Sequence, residues 1–74
     1  MKFFLVDDDA EILTLLNRVL QSAGHEVQTC TSSIEALKRI PVARPDCAII
    51  DIMMPAMDGF ELTRELRRRP ELAF

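Results

Sequence analysis

Residues 3–9 read Phe3-Phe4-Leu5-Val6-Asp7-Asp8-Asp9, an apolar run that ends directly on three acids. Residues 47–51, Cys47-Ala48-Ile49-Ile50-Asp51, repeat the pattern with one acid. A fully apolar run of this length is typical of a strand buried on both faces of a parallel sheet. The carboxyl ends of such strands meet in the crevice where open α/β sheets bind ligands, so we expect the acids to converge. Because clustered carboxylates repel one another, the pattern predicts a hard divalent cation or shifted pKa values at that place.

A helix is predicted after the first run, because apolar residues recur at helical spacing from about Ala10 to Ala23. Asp8 or Asp9 is its expected N-cap, and Gly24 is its expected C-terminal stop. Residues 26–30 then alternate between polar and apolar side chains. This alternation predicts a short, half-exposed strand at an edge of the sheet.

Two further helices and one further strand complete the predicted elements. Ser32 and Glu35 form a capping box for a second helix, which is expected to end at Pro41. A third strand is predicted from Cys47 to Ile52, and a third helix from Gly59 to Arg69. The third helix has a predicted cap at Asp58, a stop at Pro70 and three inward-facing side chains, Phe60, Leu62 and Leu66. The βαβαβα order indicates an α/β fold with parallel strands and right-handed crossovers.

The composition is that of a small folded domain. The 74 residues are 49% apolar and 28% charged, with a formal net charge of −3. This charge does not indicate a nucleic-acid partner, and the arginines of residues 64–69 are expected to form a solvated helix face. Cys30 and Cys47 lack metal-binding spacing and are expected to be buried, reduced thiols. No apolar run reaches the roughly 18 residues of a membrane span, so we expect a cytoplasmic protein without a membrane partner.

Asp7, Asp8 and Asp51 together suggest a chemical function. If the first and third strands are neighbours, their ends lie about 4.8 Å apart. Two carboxylates, one backbone carbonyl and water meet the octahedral oxygen coordination that Mg²⁺ requires. A carboxylate beside the metal can also act as a nucleophile towards a phosphoryl group. Asp9 and Asp58, in contrast, are interpreted as helix caps.

Residues 3–9 and 49–59 resemble the receiver domain of two-component response regulators. The stretch from Asp51 to Gly59 has the pattern D-x-x-M-P-x-M-D-G, and the acidic pair lies at the expected distance upstream. The resemblance extends over all 74 residues in order. It implies a flavodoxin-like fold, here with three parallel strands in the order 2-1-3 and three helices.

The resemblance also implies a role for each site residue. Asp51 would be the phosphoacceptor, which receives its phosphoryl group from a histidine kinase or a phosphotransfer protein. Asp7, Asp8 and Asp51 would bind Mg²⁺ together with the backbone carbonyl of Met53. The same resemblance implies that Pro55 and Gly59 shape the loop that follows, the glycine because it permits backbone angles closed to other residues.

Part of the family pattern has no counterpart in this sequence, so residues 1–74 are expected to be a partial receiver domain. Family members continue with a fourth and a fifth strand, each followed by a helix. These strands end in a Ser or Thr and in a Lys, respectively, whereas no Lys follows Lys38 here. We therefore expect weak Mg²⁺ binding and poor or no phosphorylation of the 74-residue chain. The open edge of the third strand is expected to favour self-association.

Two other function classes are left open. A phosphatase of the haloacid-dehalogenase type needs a second Asp two residues after the first, but Met53 occupies that position; turnover of p-nitrophenyl phosphate would identify it. The other class is a non-phosphorylated, receiver-like module for protein interaction or dimerisation. An Asp51→Asn change without effect on partner binding would favour that class. The resemblance itself implies a signalling phosphoacceptor and not a conventional enzyme.

Overall fold

Three strands and three helices alternate along residues 1–69, the part of the chain that the computed structural model describes. The strands are β1 (Lys2–Val6), β2 (Glu26–Cys30) and β3 (Cys47–Ile50). The helices are α1 (Ala10–Ser22), α2 (Ser33–Ala43) and α3 (Gly59–Arg67). The predicted helix stop at Pro70 lies outside the described residues. No described helix is long and apolar enough to cross a membrane.

The strands form a parallel sheet in the order β2-β1-β3, which confirms the predicted fold class. The register pairs Val6 with Cys30 on one side and with Ile50 on the other. All three strands therefore end at the same level. This common end places the residues that follow β1 and β3 side by side.

The central strand β1 contributes most of the buried apolar surface of the sheet. Phe4 and Val6 pack in a core cluster with residues of α2 and α3, namely Ala36, Ile40, Leu62 and Leu66. Leu5 is also buried, and because side chains alternate along a strand it points to the opposite face. On that face α1 packs against β2. Both cysteines are free thiols; Cys30 is buried as predicted, whereas Cys47, also predicted to be buried, is half-buried.

Helix α1 begins and ends close to the predicted positions. The carboxylate of Asp9 accepts hydrogen bonds from the backbone N–H groups of Glu11 and Ile12, at 2.9 and 3.4 Å, so Asp9 and not Asp8 is the N-cap. Gly24 follows the helix with φ +90°, a conformation that favours glycine. The helix itself ends at Ser22, one residue before the predicted end.

The prediction that Pro41 ends the second helix is wrong. Helix α2 contains Pro41 and continues to Ala43, with Arg44 as a left-handed C-cap at φ 50°. A proline deletes one helical N–H, but the helix closes again because the Arg44 N–H donates to the carbonyl of Ile40 at 2.9 Å. Ile40 is fully buried in the core, and this packing holds the last turn in place.

The third strand and third helix are shorter than predicted. Strand β3 ends at Ile50 and not at Ile52, because its partner strand β1 ends at Val6. The last bond between the two segments runs from the Asp51 N–H to the Val6 carbonyl. Helix α3 ends at Arg67 and not at Arg69. Phe60, predicted to face inwards, is 64% exposed. It lies about 200° around the helix from the buried Leu62, on the opposite face.

Truncation of the two side chains tests this orientation of α3. Leu62→Ala removes a fully buried side chain from the core and should lower the free energy of unfolding by about 2–5 kcal/mol. Phe60→Ala, the matched control on the exposed face, should change it by about 0.5 kcal/mol or less. Urea unfolding followed by far-ultraviolet circular dichroism measures both values. Equal losses in the two variants would contradict the orientation.

Candidate functional site

Three carboxylates meet at the carboxyl edge of the sheet. Asp7 directly follows β1 and Asp51 directly follows β3, so the pairing of Val6 with Ile50 makes them neighbours. One carboxylate oxygen from each of Asp7, Asp8 and Asp51 lies within 4.8 Å of the others. The convergence expected from the sequence is therefore present in the structure.

Backbone hydrogen bonds fix the two strand-end residues. The Asp7 N–H donates to the carbonyl of Cys30 at 3.2 Å, and the Asp51 N–H donates to the carbonyl of Val6 at 2.8 Å. Each bond extends the strand pairing by one residue beyond the sheet. The Asp7 carboxylate also accepts from the Asp9 N–H at 2.9 Å, which orients its side chain. The cluster is thus built on rigid backbone, as a precise site requires.

The donor atoms of the cluster suit a hard cation. Asp7 and Asp51 are half-buried and Asp8 is exposed, so an ion at the cluster would be reachable from solvent. All three groups offer carboxylate oxygens, the ligands that Mg²⁺ prefers. The nearby Met53 side chain is 80% exposed, and a hard-ion site does not need its sulfur. The residues present therefore fit Mg²⁺.

The other two acids of the sequence pattern are helix caps, as predicted. Asp9 caps α1. Asp58 caps α3, and its carboxylate accepts from the Glu61 N–H at 2.8 Å. In each stretch the clustered acids thus precede the capping acid: Asp7 and Asp8 come before Asp9, and Asp51 comes before Asp58.

Residues 51–58 form a folded loop between β3 and α3. The Met57 N–H donates to the Pro55 carbonyl at 2.8 Å across Ala56, whose φ is 69°, in the pattern of a γ-turn. Met54 and Met57 pack against the core cluster and anchor the loop. The sequence carries no clear signal for a left-handed residue at Ala56, since alanine rarely adopts this conformation.

Gly59 has a different role from the one expected. Of the described glycines, Gly24 has a positive φ and Gly59 does not. A Cβ on Gly59 would overlap the carbonyl oxygen of Asp51 and lie 2.8 Å from the Cα of Ile52. The glycine is required by this close approach of two backbone segments and not by its own backbone angles. Sequence alone could not reveal it, because the contact joins residues that lie apart in the chain.

Comparisons with known proteins agree with this site. The sequence model of the response regulator receiver domain matches residues 3–73. The alkaline phosphatase synthesis transcriptional regulatory protein PhoP of Bacillus subtilis is 38% identical over 68 residues, which are 92% of this chain and 28% of PhoP. The chain therefore spans less than a third of the length of that relative.

Solved structures give the same result. The receiver domain of the sensor histidine kinase PA1611 from Pseudomonas aeruginosa, with a magnesium ion coordinated in its active site cleft, is 29% identical. It aligns with a TM-score of 0.87 over 93% of this chain and 57% of its own. A chain in the structure of the histidine kinase ThkA in complex with the response regulator protein TrrA is 36% identical, with a TM-score of 0.88. That alignment covers 97% of this chain and 62% of the other.

The fold, the acidic cluster and the loop after β3 agree with these comparisons. The similarity runs from the first strand to the last described helix, so it includes every element that positions the cluster. The chain belongs to the response regulator receiver domain family, the signalling module of two-component systems.

Proposed function

We propose that Asp51 is the phosphoacceptor of this receiver segment and takes its phosphoryl group from a histidine kinase or a phosphotransfer protein. The observation that carries the proposal is the meeting of Asp7, Asp8 and Asp51 within 4.8 Å at one edge of the sheet. Asp51 is half-buried, it is the first residue of the family's sequence pattern, and its backbone is fixed to β1.

The reaction requires a fixed carboxylate nucleophile. An oxygen of Asp51 forms a bond to phosphorus, and the bond between phosphorus and the donor's histidine nitrogen breaks. The nitrogen keeps the electron pair and the product is an acyl phosphate on Asp51. Catalysis of such transfers consists mainly of positioning and charge stabilisation. The hydrogen bond from the Asp51 N–H to Val6 supplies positioning on the protein side.

Asp7, Asp8 and Asp51, with the backbone carbonyl of Met53, would hold Mg²⁺. When bound, the ion neutralises the carboxylates and the charge on the transferring phosphoryl oxygens. The proposal is supported by the oxygen donors of the cluster and by the magnesium ion in the PA1611 receiver structure. Pro55 would shape the loop through its carbonyl, which accepts from the Met57 N–H.

A histidine kinase is the proposed partner. The alignment with the complex of ThkA and TrrA supports this choice. The family's Ser or Thr and its Lys have no counterpart in the 74 residues, so weak Mg²⁺ binding and poor phosphorylation of this chain stay predictions.

The alternative is a receiver-like interaction module that works without phosphorylation. Exposed apolar side chains on the α1 face favour it, in particular Leu15 and Val19 of α1. Among the described residues β3 is an edge strand, and Ile49 on it is 43% exposed. Self-association through this edge stays a prediction.

Two isosteric substitutions test the phosphoacceptor. The chain is incubated with Mg²⁺ and acetyl phosphate, and incorporated phosphoryl groups are located by mass spectrometry of peptides. We expect a low level of incorporation at Asp51, and none in the Asp51→Asn variant, because an amide is not a nucleophile. Asp9→Asn is the matched control and should keep the parent level, because Asn is an equally good N-cap. Incorporation that persists in Asp51→Asn would contradict the assignment.

The opposite effects of charge removal with and without metal test the cation site. Without metal, Asp8→Asn relieves carboxylate repulsion and should raise the free energy of unfolding by about 1 kcal/mol or less. With Mg²⁺ at ten times its dissociation constant, the parent should gain about 1.4 kcal/mol and the variant clearly less.

Urea unfolding with and without Mg²⁺ measures both effects. Glu26→Gln is the control, because Glu26 begins β2 at the opposite edge of the sheet. A gain from Mg²⁺ that is equal in Asp8→Asn and in the parent would exclude Asp8 as a ligand.

A further inference from the structure

The first turn of α3 lies directly against the backbone of Asp51. We propose that Gly59 is a positioning residue for the Asp51 carboxylate, a role that rests on the proposed function of Asp51. The absence of a side chain at Gly59 lets the helix reach the Asp51 carbonyl, and this contact sets where the carboxylate lies relative to Asp7 and Asp8.

The backbone around Asp51 is held from two sides. On the β1 side, the Asp51 N–H donates to the Val6 carbonyl at 2.8 Å. On the α3 side, the Gly59 N–H donates to the Ile52 carbonyl at 2.9 Å, and the Gly59 Cα faces the Asp51 carbonyl. The backbone of Asp51 and Ile52 is therefore held by a strand on one side and by a helix on the other. A change on either side moves the residue that carries the carboxylate.

Helix α3 is firmly anchored, so it would not retreat from a larger residue at position 59. Leu62 is fully buried and Leu66 nearly so. The Asp58 side chain caps the helix, and the Thr63 hydroxyl donates to the Gly59 carbonyl at 2.8 Å. Withdrawal of the helix would expose Leu62 and break the core. A Cβ at position 59 would instead displace the Asp51–Ile52 peptide, which follows the end of β3 and has no side chain in the core cluster.

Displacement of this peptide changes the metal site and leaves its ligands chemically intact. The Cβ would overlap the Asp51 carbonyl oxygen, so that oxygen must move away from the helix. The carboxylate moves with the backbone, whereas Asp7 stays fixed by its bond to Cys30. Loss of an outer residue that orients a ligand typically weakens metal affinity by about 10–100-fold. Gly59→Ala should therefore weaken Mg²⁺ binding without removing a single donor atom.

Two glycine variants separate positioning from general destabilisation. Titration calorimetry measures Mg²⁺ affinity at a temperature where each variant is folded. Gly59→Ala should bind at least about tenfold more weakly than the parent. Gly24→Ala is the control, because a Cβ there meets nothing within 4 Å, but the φ of +90° makes alanine strained. It should lose stability and keep the parent affinity within about twofold. A folded Gly59→Ala variant with parent affinity would overturn the proposal.

Hydrogen exchange on the unmodified chain provides a test that does not depend on folding of a variant. Because coupling between two sites is reciprocal, saturating Mg²⁺ should slow exchange of the Gly59 amide. The Gly24 amide, which donates to the Gln21 carbonyl at 2.9 Å far from the site, should exchange unchanged. Equal Gly59 exchange with and without Mg²⁺, in a chain that binds the ion, would overturn the proposal.

Failure of the proposed function has a different signature. If the parent binds no Mg²⁺, the assignment of the three carboxylates as a metal site is wrong. Hydrogen exchange of the Asp51 amide then tests the positioning role of Gly59 without metal. Gly59→Ala should speed exchange of this amide by more than its loss of global stability accounts for, because it weakens the bond to Val6. Gly24→Ala should speed it by no more than its loss of global stability accounts for. Asp51 exchange that follows global stability in both variants would overturn the positioning role.

Discussion

The parallel pairing of β1 with strands on both sides is the constraint on which the rest of the structure depends. Its register places Val6 opposite both Cys30 and Ile50, so the strands end level. If β3 slipped by one residue, its side chains would exchange faces and Asp51 would no longer lie beside Asp7. Ala48 and Ile50 of β3 oppose such a slip, because both pack against the core cluster. The acidic cluster is thus a consequence of core packing.

The site combines a repulsive cluster with a rigid surround. Three carboxylates within 4.8 Å repel one another, whereas the backbone hydrogen bonds of Asp7 and Asp51 to neighbouring strands keep them together. Helix α3 supports the site through Gly59, because the absence of a side chain there lets the helix backbone lie against the backbone of Asp51 and Ile52. The proposed function at this edge would therefore depend on groups that do not contact the ion. The segment from Asp51 to Gly59 contains a candidate nucleophile, a turn and a helix cap.

Local patterns in the sequence predicted the parts of the structure that local forces decide. Asp9 is a cap because its own carboxylate accepts from the nearby amides of Glu11 and Ile12, and Asp51 directly follows a strand because the apolar run ends there. Predictions failed where distant residues decide. Pro41 lies inside α2 because core packing of Ile40 outweighs one lost hydrogen bond, and the role of Gly59 depends on a contact made only after folding. Phe60 points outwards because the face of α3 that packs in the core is the one that contains Leu62 and Leu66.

We propose that Asp7, Asp8 and Asp51 form one divalent-cation site. A nuclear magnetic resonance titration of the isotope-labelled chain with Mg²⁺ is the most direct test. We expect saturable shifts of backbone amides that are confined to the residues after β1 and to the loop after β3. These shifts share one dissociation constant. Amides of β2 at the opposite edge, such as Glu26, stay unchanged. Shifts spread evenly over all exposed acids, or different constants for Asp7 and Asp51, would contradict a single site.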